Sequence, residues 1–194
     1  MRALVVYCHP VEGSFCSAIR DAAIRGLERA EHHIDVIDLA AEDFDPVMSR
    51  EEWHAYMHSH GAIAPVLEKH VALVKAADIL VFVYPTWWSG LPAQLKGWLE
   101  RIMIENVAYK FNKKNHVRPA LTNVTKIYIF STFGSPRWYI TFVHNNGKRI
   151  LSRALRLSTG RARVHSRFLY AMDTTDNQRR QQFLSDISEL LVKS

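Results

Sequence analysis

Apolar and β-branched runs recur along the chain, separated by stretches whose apolar positions fall three and four residues apart. Arg2–Tyr7 is a continuous run, the pattern of a strand covered on both faces. Ser14 then stands where a helix would be capped, ahead of Phe15, Ala18, Ile19, Ala22, Ala23 and Leu27 at helical spacing. His33–Leu39 mixes Ile34, Val36 and Ile37 with Asp35 and Asp38, a second strand nearer an edge. Ala40–Met48 reads as a loop. Ser49 with Glu52 three residues later opens a helix as a capping box, and Ala64–Ala77, after Gly61, is helical again. Asp78–Tyr84 is the strongest strand in the chain, and Pro92–Met103 is a helix with proline in its first turn. Asn106–Asn123 is polar and irregular. Val124–Ser131 is a fourth core strand, and a helix is expected from about Ile140 or Gly147 to Leu157. Ala162–Ala171 is a fifth strand. Asp176–Val192 is a closing amphipathic helix carrying Phe183, Ile187, Leu190 and Leu191.

Strands alternating with helices predict an α/β architecture: a five-stranded parallel sheet, order 2-1-3-4-5, with helices on both faces. No repeat, low-complexity tract or linker divides the chain, so residues 1–194 are expected to form one domain. Hydrophobic residues make up 48% of the 194, enough for a sizeable core. The net charge of +6 favours anionic ligands without choosing among nucleic acid, acidic membranes and phosphate-bearing cofactors. The basic stretches Lys110–Arg118 and Arg149–Arg167 carry no nucleic-acid motif and read as solvated faces, so no nucleic-acid partner is expected. Cys8 and Cys16 are the only cysteines, too few for a disulfide framework, which suits a reducing, cytoplasmic compartment. The N-terminal run lacks a signal-peptide pattern. The longest apolar stretch, Ile79–Trp88, is too short to span a bilayer, so no membrane insertion is expected.

In such a sheet a ligand binds beyond the carboxyl ends of the strands, where the strand order reverses. That rule selects the loops Cys8–Ser14, Pro85–Leu91 and Thr132–Tyr139. Two adjacent tryptophans, Trp87 and Trp88, sit in the second loop, and the third mixes small residues with aromatics. A flat heteroaromatic ring needs apolar faces, small residues for close approach and N–H groups for its carbonyls. His9, Ser14 and the N–H groups opening the first helix suit a phosphate. Together these describe a flavin nucleotide. Each residue also has a plainer reading: the tryptophans as core or interface, Ser14 as a cap only, Gly134 as a turn. No Gly-x-Gly-x-x-Gly follows the first strand and no Walker loop is present. The ten histidines show no recurring ligand spacing; His54, His58 and His60 read as a solvated face, and no metal site is expected.

At these loops the chain resembles the NAD(P)H:quinone oxidoreductase family, the DT-diaphorase-like proteins of flavodoxin-like fold. The resemblance is carried by His9-Pro10-x-x-x-Ser14-Phe15-Cys16-x-Ala18, by Asp43-Phe44-Asp45-Pro46-Val47, by Pro85-x-Trp87-Trp88-x-x-x-Pro92-Ala93-x-Leu95-Lys96-Gly97-Trp98-Leu99-Glu100-Arg101 and by Ala108-Tyr109-Lys110-Phe111. It covers most of the chain and is best up to about residue 145. It implies two-electron hydride transfer from NAD(P)H, as co-substrate, through a bound flavin, FAD with FMN as the alternative, to quinones or similar acceptors. It implies flavin contacts from His9, Ser14, Phe15, Cys16, Pro85, Thr86, Trp87, Trp88, Ser89, Thr132, Phe133, Gly134 and Ser135. Tyr139 and His144 stand roughly where the family's hydride-assisting tyrosine and histidine stand. Tyr109 and Phe111 would reach the substrate site of the other subunit of a homodimer. Cys16 replaces the family's usual asparagine, Thr132-Phe133-Gly134-Ser135 replaces its Thr-Thr-Gly-Gly turn, and the match fades after about Gly160. The other reading the resemblance allows is a regulatory, ancillary subunit of a membrane cation-efflux system.

Overall fold

The computed structural model describes residues 1–58 and 63–194; His60 and Gly61, named above, lie outside the described residues. Five parallel strands form one sheet: β1 (Arg2–Tyr7), β2 (His33–Asp38), β3 (Ile79–Pro85), β6 (Lys126–Thr132) and β7 (Arg163–Leu169). Their order is β2-β1-β3-β6-β7. Counted within the sheet alone this is the expected winding. The labels shift because a short antiparallel hairpin, β4 (Tyr109–Phe111) with β5 (Val117–Pro119), forms inside the stretch that reads as irregular.

The two faces of the sheet follow from side-chain alternation. Ala3, Val5, Tyr7, Ile79, Val81, Val83, Tyr128 and Phe130 pack against α1 (Phe15–Arg29) and α8 (Asn177–Val192). Leu4, Val6, Cys8, Leu80, Phe82, Tyr84, Ile127 and Ile129 share the opposite core with α3 (Glu68–Ala76), α4 (Ala93–Ile102) and Leu151 and Leu155. β3 is buried along its whole length, which is why its sequence carries no polar alternation.

Helix ends are set by the residues the sequence offers. Ser14 caps α1, its Oγ accepting from Ser17 N–H at 3.2 Å, and Asp176 caps α8 through Arg179 N–H at 2.7 Å. Ser49 and Glu52 form the reciprocal capping box of α2 (Arg50–His58), with bonds of 3.1 and 2.8 Å. Pro92 occupies the cap of α4, one place before the first helical residue. The expected helix beyond residue 140 is two pieces. α5 (Arg137–Phe142) stops at His144 and Asn145, both left-handed with φ of 68° and 32°. A second stretch then runs through α6 (Asn146–Arg149), a π-helical segment Ile150–Leu155 and α7 (Arg156–Thr159).

A polar staple pins α4 to α3 and to the loop after β2. Trp98 Nε1–H donates to His70 Nδ1 at 3.2 Å, and the other nitrogen of that buried ring faces Glu42 Oε2 at 2.8 Å. The acceptor role of Nδ1 makes Nε2 the protonated nitrogen, which donates to the carboxylate. Burial works against ionisation of Glu42, but hydrogen bonds from His70 and Lys69 hold its carboxyl below the usual range.

Candidate functional site

The carboxyl ends of β1, β3 and β6 bring the three selected loops together. Thr86 N–H donates to Thr132 O at 2.9 Å, and the Thr86 and Ser131 hydroxyls meet at 2.8 Å, so the ends of β3 and β6 are tied together where their loops begin. Cys16 Sγ lies 3.6 Å from Thr132 Oγ1, tying the start of α1 to the same place. His9 and Trp87 face each other across the first two loops with ring centroids 6.1 Å apart.

A cleft of about 280 Å³ opens between the loops, lined by Thr86, Trp88, Ser89, Phe133, Gly134, Ser135, Tyr139 and Ile140. Its upper wall is a tight turn. Gly90 N–H bonds Trp87 O at 3.0 Å, and both central residues are left-handed, Trp88 at φ 47° and Ser89 at φ 59°. This turn leaves Trp88 fully exposed beside the cleft. Non-glycine residues in this region cost of order 1–2 kcal/mol each, and such strain concentrates at functional loops.

The donors left over decide what the cleft can hold. Among the described residues, the N–H groups of Trp88, Ser89, Gly134 and Ser135 have no acceptor within the chain. At loop one, the N–H groups of Phe15 and Cys16 open α1 without an acceptor, as the first turn of any helix does. Free N–H groups around a cleft with aromatic walls, beside an open helix start, suit a flat carbonyl-bearing ring joined to a phosphate. A flavin nucleotide is such a molecule, and the residues present fit it.

The remaining expected site residues take more specific places. Pro85 ends β3 with its side chain buried. Phe133 is buried as well: its ring stacks on Tyr170 at 5.0 Å and meets Phe168 edge-on, so it forms the floor of the cleft. The half-buried Phe15 packs on Phe183 of α8 at 6.3 Å. The Cys16 thiol is pushed up to about 11 by burial, which makes it a neutral packing group. Cys8 is pushed up to about 12 for the same reason, and its S–H points at Gln94 Oε1. Ser14 caps α1 and contacts the Tyr7 hydroxyl at 3.4 Å. His9 Nδ1 accepts from Val11 N–H at 3.0 Å, and His9 lines a separate polar cavity of about 200 Å³ with Tyr7, Glu12, Arg20 and Asp38. Tyr139 reaches the cleft; His144 is exposed beyond α5, and among the described residues no hydrogen bond joins the two side chains. Tyr109 and Phe111 stand on β4, away from the cleft. Tyr109 lines an apolar groove with Leu99, Met103, Ile150 and Leu155, and its phenol is pushed up to about 12 by the hydrogen bond with Tyr56 and by burial.

Sequence reasoning missed Ile140, Tyr170 and Asp173. Tyr170 backs Phe133, and Asp173 Oδ2 lies 3.2 Å from where a side chain on Gly134 would begin. Both arrive from the loop after β7, and no local pattern connects that loop to the cleft.

The family model described as flavodoxin-like fold matches residues 1–191. The chain belongs to the flavodoxin-like family. Smu.1420 from Streptococcus mutans UA159 superposes on this flavodoxin-like chain with a TM-score of 0.88 at 30% identity, each chain fully covered. An NAD(P)H:quinone oxidoreductase from Methanothermobacter marburgensis shares the fold at a TM-score of 0.83 and 23% identity, covering 100% of this chain and 95% of its own. The NAD(P)H dehydrogenase [quinone] 1 of Cavia porcellus is 30% identical over 153 residues, which is 71% of this chain. The flavodoxin-like chain spans 55% of that relative's length.

Proposed function

We propose that the chain is an NAD(P)H-dependent flavoprotein oxidoreductase that delivers two electrons to quinones or similar acceptors. The observation that carries this reading is the set of four unpaired N–H groups around the aromatic cleft where the loops after β3 and β6 meet. The names of the relatives support the same reading. When bound, a flavin supplies the hydride chemistry that no side chain of the cleft can supply alone. FAD is the favoured form, with FMN the alternative.

The protein's own part is binding, orientation and charge. The N–H groups of Gly134 and Ser135, with those of Trp88 and Ser89, hold the polar edge of a ring and are aimed before any charge develops. Thr86 and Thr132 fix the spacing between the two loops, with Pro85 holding the strand end beneath them. Trp87 and Trp88 give an apolar flank, and Phe133 sets the depth. Ser14, Phe15 and Cys16 present the helix start to a phosphate, with His9 beside it. Tyr139 is the group we assign to hold or pass a proton at the rim, with His144 assisting.

A homodimer is part of the proposal. The apolar groove beside Tyr109 and the exposed Phe111 and Val117 on the hairpin support it. In that assembly Tyr109 and Phe111 would complete the substrate site of the other subunit. Purified protein is expected to be yellow, and the flavin released on denaturation identifies itself by mass. A colourless protein that neither retains nor rebinds flavin overturns the proposal.

A further inference from the structure

The charge of this chain is divided by region. Between Glu105 and Asp173 there is no Asp or Glu, while thirteen of the 25 Lys and Arg fall there. The rest of the chain carries the other twelve against all 19 acidic residues. The fold gathers part of the basic segment at one pole. Lys126 begins β6 and Arg163 begins β7, and the two are register partners. Leu121 N–H bonds Ser158 O at 3.0 Å, bringing the end of the hairpin segment onto α7, and Gly160 packs on Pro119 of β5. Arg153, Arg156, Leu157 and Gly160 line one open hollow of about 290 Å³. Arg118 and Arg161 are the sequence neighbours of Pro119 and Gly160, which meet at its edge.

Among the described residues none of these cations forms an ion pair, whereas Arg2, Arg20 and Arg101 each do. Arg156 has a backbone partner, Ala162 O at 3.0 Å. Asp78, just ahead of β3, has its carboxylate engaged by Arg2 N–H. One large apolar side chain stands among the charges: Leu157, which lines the same hollow as Arg153 and Arg156, is 77% exposed. Because the strands are parallel, this pole lies at their amino ends, about 20 Å from the cleft at their carboxyl ends.

We infer that this pole is a docking surface for an anionic lipid bilayer. A cluster of cations alone fits any polyanion. An exposed leucine beside the arginines gains nothing from a phosphate backbone, but it enters the acyl boundary of a membrane while the cations meet lipid phosphates. The surface is peripheral, since among the described residues no helix is long and apolar enough to cross a membrane. It is independent of the flavin proposal: the two sites share no residue.

The test is sedimentation of the purified full chain with vesicles of phosphatidylcholine alone and of equimolar phosphatidylcholine and phosphatidylglycerol. Binding is expected to the anionic vesicles and to fall with added salt. The variant Arg118→Glu/Arg153→Glu/Arg161→Glu is expected to lose roughly 100-fold or more in affinity, at roughly five-fold per cation removed. Leu157→Ser is expected to weaken binding roughly three-fold or more. Circular dichroism on both variants checks that the fold survives. Equal binding to neutral and anionic vesicles overturns the inference. So does retention on duplex DNA without vesicle binding, which makes the pole a nucleic-acid face, and so does a Leu157→Ser variant that binds anionic vesicles as the parent does.

Discussion

At the scale of single residues, exposure and burial separate groups that serve a ligand from groups that serve the fold. Trp88 is fully exposed in a left-handed turn, so it contributes nothing to the core. Trp88→Ala is expected to weaken flavin retention roughly three- to ten-fold while leaving the urea midpoint unchanged. Unchanged retention would return this residue to a plain surface role. The two cysteines make the opposite case. Their thiols are buried and pushed up to about 12 and about 11 from 9.0. Native protein is therefore expected to react very slowly with a thiol reagent at pH 8, and to titrate both thiols in denaturant. The sign of the linkage follows. The unfolded thiols ionise as pH rises through 9.0 and the folded ones do not. Their contribution to stability is complete below that value and is lost as pH climbs toward about 11 and 12. Denaturation midpoints measured from pH 7 to 10.5 check the direction.

At the scale of elements, α4 and the loop after β2 approach each other closely. A Cβ on Gly97 would sit 2.2 Å from Pro46 O and 2.5 Å from Pro46 Cβ, contacts no side-chain rotation relieves. Gly97→Ala is expected to cost about 3 kcal/mol in chemical denaturation. His70→Ala, which leaves the fully buried Trp98 Nε1–H without its acceptor, is expected to cost a similar amount, about 3 kcal/mol. These elements were legible to different degrees. β1 and β3 read cleanly because both faces are buried and no polar residue interrupts them. α1 and α8 began where Ser14 and Asp176 place an oxygen ahead of an apolar stripe. The hairpin was not legible: Tyr109–Phe111 and Val117–Pro119 are three residues each, too short to show a period of two among lysines and asparagines. The break at His144 and Asn145 was blurred because the apolar residues on either side keep helical spacing; the signal available was Asn145 itself, whose side chain caps Lys148 N–H at 3.1 Å. In the site, the loops after β3 and β6 stood out by composition. The inward turn of Phe133 did not, since its partner Tyr170 belongs to another strand's loop.

At the scale of the whole molecule, the proposed function has donor and acceptor visit the cleft between the loops after β3 and β6 in turn. Steady-state rates with NADH and a soluble quinone are expected to give parallel double-reciprocal lines. Intersecting lines would mean that both reactants occupy the protein together. Sedimentation velocity is expected to show a dimer, and Phe111→Glu, at an exposed position of the hairpin, to shift it to monomer. A parent chain that sediments as a monomer removes the dimer from the proposal.

The winding of the sheet also has a consequence for how the chain comes off the ribosome. β3 is the most completely buried strand, and its neighbours are β1, made long before it, and β6, made long after. Residues 86–125 must be translated before β6 exists, which takes roughly 2–8 s at ordinary elongation rates. Through that interval a half-built sheet of β2, β1 and β3 carries an unpaired, wholly apolar edge. The nascent chain is thus most exposed to mispairing midway through its synthesis, and truncation anywhere between Pro85 and Lys126 should yield an aggregating product.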